Sequence, residues 1–258
     1  MKILLALTFG CLAIFCNQDH WKVHKTFPAA EAKQAVCADG EYFYAIDDAA
    51  IGKYSIASGK KIAQWQAPES SHIKHLNSAC IHNNQIYLAH SNYPALPRTS
   101  SIEIFDTDLH YIGAHNFGQY DGAASWVLWN QESWWVLFAQ YSGAVAEPGR
   151  TSADTRLDRF DAKWKRLASY TFPPEIIAKV APKSLSGGAF GPDGSLYCTG
   201  HDNAELFRLN IPKTGTVIEH LATLPVTCEG QGIAFYGKRL YTIKRSTREV
   251  VVSEWVEN

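Results

Sequence analysis

The sequence has almost no net charge: 24 Lys and Arg stand against 25 Asp and Glu, a formal −1, with both signs scattered along 258 residues. Without a basic stripe or an acidic tail, nothing in it predicts electrostatic binding to nucleic acid or to a membrane surface. It has no CxxC pair of the zinc or redox kind, no GxSxG elbow, no Walker loop, no HExxH and no EF-hand loop. Serine-hydrolase and nucleotide-dependent chemistries therefore lose most of their support. Past residue 16 no apolar stretch approaches the length of about 20 residues that a membrane-spanning helix needs.

What is present at the N-terminus is Lys2, an apolar run over residues 3–16 and polar residues from Asn17 onward. That outline predicts a signal peptide over 1–17 and an exported, periplasmic or extracellular, mature domain over 18–258. Cys11 and Cys16 raise a lipoprotein alternative, which Phe15 disfavours because a small residue should precede a lipidated cysteine. Cys37, Cys80, Cys198 and Cys228 remain; as buried thiols or as two bridges they fit the sequence equally well.

The organising pattern is clearest over residues 186–209: two short strands joined by Pro192-Asp193-Gly194, a polar His201-Asp202 corner, and a third strand. Apolar runs bounded by Gly, Pro and Asp read as strands because those residues supply turn geometry that strands cannot. Four weaker copies recur, and the polar residue ending the second strand of each copy is Asp47, His90, Gln140, His201 or Lys244, spaced 43, 50, 61 and 43 apart. Units of this length with several strands each predict an all-β fold, a five-bladed β-propeller of four-stranded antiparallel blades. The fifth copy runs out one strand short. Residues 21–28 end in Thr26-Phe27-Pro28, the tripeptide that recurs as Thr171-Phe172-Pro173 at the end of the third copy. They are expected to supply the missing outer strand and close the ring, while residues 173–181 have room for a short helix.

The loops divide into two sets. Tight, generic turns such as Ala38-Asp39-Gly40 and Pro192-Asp193-Gly194 fall on one face of the disc and read as structural. The opposite face takes the longer loops between second and third strands and the crossings between blades, where chemistry concentrates on a rigid scaffold. There His75, His90 and His201 are candidate catalytic residues and, if they converge, ligands for a divalent metal ion. Tyr93, Glu229 and Lys244 are candidate acid, base and cation partners; His72 is expected to face solvent. Asn77, Asn92, Trp126, Gln140, Tyr141, Asp202 and Gln231 are candidate substrate-binding residues, Trp126 as a sugar-stacking surface. Asp48 is expected to cap a turn.

The blocks HLNSA, AHSNYP, SGGAFGPDG, TGHD and EGQG together look like a group of exported bacterial β-propeller proteins, some named cycloisomerase. The resemblance covers nearly the whole mature chain and implies lyase or isomerase chemistry; it assigns no role to any residue. Muconate-cyclising, lactonase-like propellers are similar in architecture but have more blades. Three readings follow: a lyase or isomerase acting on a sugar acid, lactone or related polyhydroxy compound; a glycoside hydrolase using two of Asp47, Asp121, Asp202 and Glu229; or a non-catalytic propeller binding glycan or protein. The expected partner is a small-molecule or carbohydrate ligand, and the expected state a monomer.

Overall fold

The computed structural model describes residues 20–257, so the predicted signal peptide lies outside the described residues. The chain forms five four-stranded antiparallel sheets. The first blade is β2 (Ala35–Ala38), β3 (Tyr42–Asp47), β4 (Ala50–Ser55) and β5 (Lys61–Gln66); the second is β6 (Leu76–His82), β7 (Gln85–Ser91), β8 (Ser100–Asp106) and β9 (Tyr111–Gly118). The third is β10 (Ala123–Asn130), β11 (Ser133–Ala139), β12 (Arg156–Phe160) and β13 (Arg166–Thr171), and the fourth β14 (Gly187–Phe190), β15 (Leu196–Thr199), β16 (Glu205–Asn210) and β17 (Glu219–Pro225). The last combines β18 (Ala234–Tyr236), β19 (Arg239–Lys244) and β20 (Glu249–Val256) with β1 (His20–Pro28), which pairs antiparallel with β20. The propeller is therefore closed by strands from both ends of the chain, as the recurring Thr-Phe-Pro tripeptide predicts. Closure leaves no first or last blade to come apart as a free unit. The short helix α1 (Pro174–Val180) follows the third blade and buries Ile176, Ile177 and Val180.

The inner strands touch in the cyclic order β2, β6, β10, β14, β18. At their upper ends the residues are small because the strands converge. A Cβ on Gly232 would stand 2.3 Å from the Ala35 Cβ and 2.8 Å from the Ser78 Oγ, and one on Gly187 would stand 2.2 Å from the Gln231 carbonyl oxygen. Large side chains fill the spaces between blades instead. Trp126 is fully buried there against Leu185, Leu196 and Leu137, its ring beneath Gly188. This corrects the expectation of a sugar-stacking surface: β10 carries a bulge between Ala124 and Trp126, and the indole lies in the packing between the third and fourth blades. The four cysteines in the described region are free thiols, three of them buried and Cys80 partly so.

The outer strands share a device that the periodicity conceals. In four blades the pairing skips one residue near the start of the strand, leaving Ile62, Ile112, Leu167 and Leu221 unpaired and each about half exposed. The last blade skips His24. A bulge in every outer strand breaks the row of free backbone groups that another strand could join.

Candidate functional site

The candidate site lies on the face formed by the entries to the inner strands and the corners after β3, β7, β11, β15 and β19. On its first-blade side Asp48 collects three donors: Lys33 Nζ at 2.5 Å, Gln34 Nε2 at 2.5 Å and His75 Nδ1 at 2.9 Å. These bonds, working against partial burial, hold its carboxyl well below the usual carboxylate range. Asp48 is thus a hub between two blades rather than a turn cap. An ionised carboxylate on Nδ1 fixes the His75 tautomer and leaves Nε2 as its basic nitrogen.

The loop between β7 and β8 carries Tyr93 over this face. Asn92 braces the loop, accepting from Thr99 N at 2.9 Å and donating to the Pro97 carbonyl at 2.8 Å. The buried Arg98 donates to the carbonyls of Ala95 and Val145, both at 2.7 Å. Its guanidinium lies 5.0 Å from the Tyr93 ring and 5.4 Å from the Tyr141 ring. Tyr93 also packs 5.2 Å from His75 and 5.3 Å from Tyr141, and its hydroxyl accepts from Lys183 Nζ at 3.5 Å. One side chain thus touches groups from the second, third and fourth blades. Burial pushes the Tyr141 phenol up to about 12, and its hydroxyl bonds to Ser125. Gln140 is buried and donates to Glu147, whose other oxygen accepts from Arg98 N, so it holds the loop rather than a ligand.

Beside the Asp48 hub, toward the last blade, a cleft of ≈ 380 Å³ is lined by Lys33, Asp202, Glu229, Arg245, Ser246 and Arg248. His201 Nδ1 bonds to Asp202 Oδ1 at 2.7 Å, and Arg245 stands 3.7 Å from the same oxygen. Burial lowers the His201 pKa, Asp202 opposes this, and the charges of Arg245 and Lys183 add to it. The buried Gln231 donates to the His201 carbonyl at 3.2 Å and so shapes the corner from behind. Glu229 accepts from both the backbone N and the Oγ of Ser246, which hold it below its ordinary range.

Four further expected site residues are bonded, packed or placed away from the cleft. His90 Nδ1 lies 2.9 Å from Ser101 Oγ, whose hydroxyl donates to the fully buried Glu103 at 2.6 Å; Lys74 N donates to His90 Nε2 at 3.4 Å. Both ring nitrogens are thus committed to the protein, with the proton on Nδ1, and burial lowers the pKa to about 4. Asn77 donates to the Ala124 carbonyl at 2.9 Å, tying the second blade to the third. Lys244 ends β19 but does not line the cleft; its neighbour Arg245 does. Trp126 is core, as described above. Among the described residues no group of three or more His, Cys, Asp or Glu is placed to hold a metal ion. His75, His90 and His201 each turn a nitrogen to a different partner and do not share a centre. His72 is exposed, as expected, and reaches Glu103 at 3.2 Å.

The carboxylates considered for glycoside hydrolysis are held by cations or caps. Asp47 pairs with Arg248 at 2.7 Å and Lys33 at 3.3 Å, Asp121 with Arg156 and Arg150, and Glu229 is capped by Ser246. Glycoside hydrolysis needs one carboxyl held protonated by a raised pKa, and Glu229 is shifted the opposite way. Sequence reasoning missed Lys33, Arg98 and Lys183. Arg98 lies inside a loop it did single out, and the two lysines stand just before inner strands, a position whose importance only the ring reveals.

No family model matches the chain, and no curated protein matches its sequence. Its fold is similar to the pyrroloquinoline quinone-bound aldose sugar dehydrogenase of Streptomyces coelicolor, with a TM-score of 0.58 and 10% identity over 93% of this chain and 99% of that one. It is also similar to a streptogramin B lyase, with a TM-score of 0.55 and 10% identity over 90% and 97% of the two chains. At such identity the likeness establishes the propeller fold and nothing finer.

Proposed function

We propose that the chain is an exported enzyme of lyase or isomerase type that moves a proton on a sugar acid, lactone or related polyhydroxy compound. The supporting observation is a pair of pairs: His75 oriented by Asp48, and Tyr93 bonded to Lys183, with the His75 and Tyr93 rings 5.2 Å apart. His75 Nε2 takes a proton from the carbon next to a carbonyl or carboxylate. The Tyr93 hydroxyl gives its proton to the departing oxygen, the C–O bond breaks and a C=C bond forms. Lys183 stabilises the phenolate left on Tyr93 until the proton returns. When the departing oxygen belongs to the same molecule, the product is an isomer; otherwise it is an elimination product. The five corners differ in residue type, which suits one asymmetric site better than five equivalent ones.

The test is turnover of a panel of uronates, aldonates and aldonolactones. His75→Asn and Tyr93→Phe are each expected to slow the active substrate by about 10²- to 10⁴-fold. Unchanged rates in both variants would remove this chemistry. Metal analysis of the purified protein tests whether a divalent ion adds to the set, and the mass of the secreted chain tests removal of residues 1–17.

A further inference from the structure

Most cations on this face are held by the protein, through carboxylates or through backbone carbonyls. Lys33 and Arg248 pair with Asp47 and Asp48, Arg150 and Arg156 with Asp121, and the Arg98 guanidinium is bonded to carbonyls. Lys183 and Arg245 differ. Among the described residues Lys183 has no carboxylate within ion-pair distance; it reaches the hydroxyl and ring of Tyr93. Among the described residues the one carboxylate within ion-pair distance of Arg245 is Asp202, at 3.7 Å and shared with His201, while Glu229 in the same cleft feels its charge from farther off. Lys244 also lacks a carboxylate partner but lines neither hollow on this side of the ring.

These two cations lie on either side of one corner. Lys183 lines a hollow of ≈ 150 Å³ together with His201, Asp202 and the Lys179–Glu205 ion pair, whose charges offset each other. Arg245 lines the larger cleft, which Asp202 borders as well. Asp202 therefore stands between two hollows, with the Lys183 ammonium, free of a carboxylate partner, lining one and the Arg245 guanidinium lining the other. Both charges act on His201, lowering its pKa. A guanidinium offers a fork of donors to a carboxylate and an ammonium a point charge, so the pair can hold the two ends of an anionic group.

We infer that Lys183 and Arg245, flanking the His201-Asp202 corner, form the anchoring site for the carboxylate of an anionic sugar derivative, which makes a sugar acid, rather than a neutral lactone or glycoside, the substrate class. This rests on the reading of His75 and Tyr93 as the proton-moving pair, and it gives that pair a reason to work. Removing a proton beside a carboxylate builds negative charge on the carboxylate oxygens, and cations already at those oxygens stabilise that charge without reorganising. Lys183 belongs to both sets, touching Tyr93 and lining the hollow beside His201.

Equilibrium binding separates this inference from the catalytic reading because it needs no turnover. Isothermal titration is carried out with D-glucuronate and with D-glucose on the full chain and on His75→Asn, in low and in high salt. Glucuronate is expected to bind at least about tenfold more tightly than glucose in both proteins, and the advantage is expected to shrink as salt screens the charges. Arg245→Gln and Lys183→Gln should each weaken glucuronate about tenfold. Lys213→Gln, an exposed lysine in a turn on the opposite face, should leave binding as it is. Equal affinity for the two sugars, no measurable binding of glucuronate, or unchanged affinity in both Gln variants overturns the inference. Loss of turnover in His75→Asn would still stand on its own. Melting curves of the two Gln variants close to that of the parent confirm that a loss of binding is not a loss of fold.

Discussion

Aspartate does two different jobs on the two faces of this propeller. On the face of tight turns, Asp39 accepts from the backbone of Glu41 and Tyr42 and from the Tyr44 hydroxyl. Asp193 repeats the pattern with Ser195 N, Ser195 Oγ, the Tyr197 hydroxyl and Arg208. The partners lie mostly within a few residues, and the result is a turn. On the other face Asp48 draws Lys33, Gln34 and His75 together from two blade entries, Asp47 reaches Arg248 across the ring closure, and Asp202 holds His201 against Arg245. Local aspartates satisfy backbone donors and set the chain direction. Long-range ones orient side chains, which is what proton transfer requires.

Substitutions that separate the two jobs make the contrast measurable. The largest effect is expected from Asp48→Asn, which keeps the shape of the hub but lets His75 take the other tautomer. Turnover should fall about a hundredfold or more, against a change in melting temperature too small to explain it, as paired activity and calorimetry measurements would show. A fall in activity matched by unfolding would make Asp48 structural and break the contrast.

Acid titration of stability comes next. His90 is buried neutral with its pKa lowered to about 4, so between that value and its unfolded pKa of about 6.5 the unfolded chain binds a proton that the folded chain refuses. Stability contributed by the neutral ring is complete above about pH 6.5 and is lost as pH falls toward 4, on the order of 3 kcal/mol. Asp48, with its carboxyl depressed, adds a loss that begins below about pH 4 and continues through its folded pKa. Urea unfolding from pH 7.5 to 3.5 should show the first slope, and it should flatten in His90→Asn. A slope unchanged in that variant would place the proton uptake elsewhere.

On the turn face, Asp193→Ala is expected to cost about 1–2 kcal/mol of stability, because Ser195 N and Arg208 lose their acceptor. Turnover per folded molecule should not change. The smallest effect is that of Gly194→Ala. A Cβ there meets no atom within 4 Å, but the backbone sits at φ +80°, where an L residue is strained by about 1 kcal/mol. Denaturant midpoints resolve both, and a catalytic defect in either would erase the distinction between the faces.

Much of the fold is legible in the chain because its determinants are short-range. The alternation of apolar residues, the Asp-Gly turns and the recurring polar corner mark β3, β7, β11, β15 and β19 at their observed places, and Thr-Phe-Pro marks the closing strand. The outer-strand bulges at Ile62, Ile112, Leu167 and Leu221 escape the same reading, since skipping one residue leaves the local composition unchanged.

The site was legible only as a set of corners. By itself the sequence determined how many blades there are, where each turns and which face carries the reactive residues, because turn conformations and strand periods are properties of neighbouring residues. Tertiary structure decided which of those residues meet. Tyr93 reaches Lys183, 90 positions further along the chain; His90 spends both nitrogens on Ser101 and Lys74; and Trp126 packs beneath Gly188 between blades. Those outcomes depend on how closely the inner strands converge and how each loop lies across the ring, and neither quantity has a local signal.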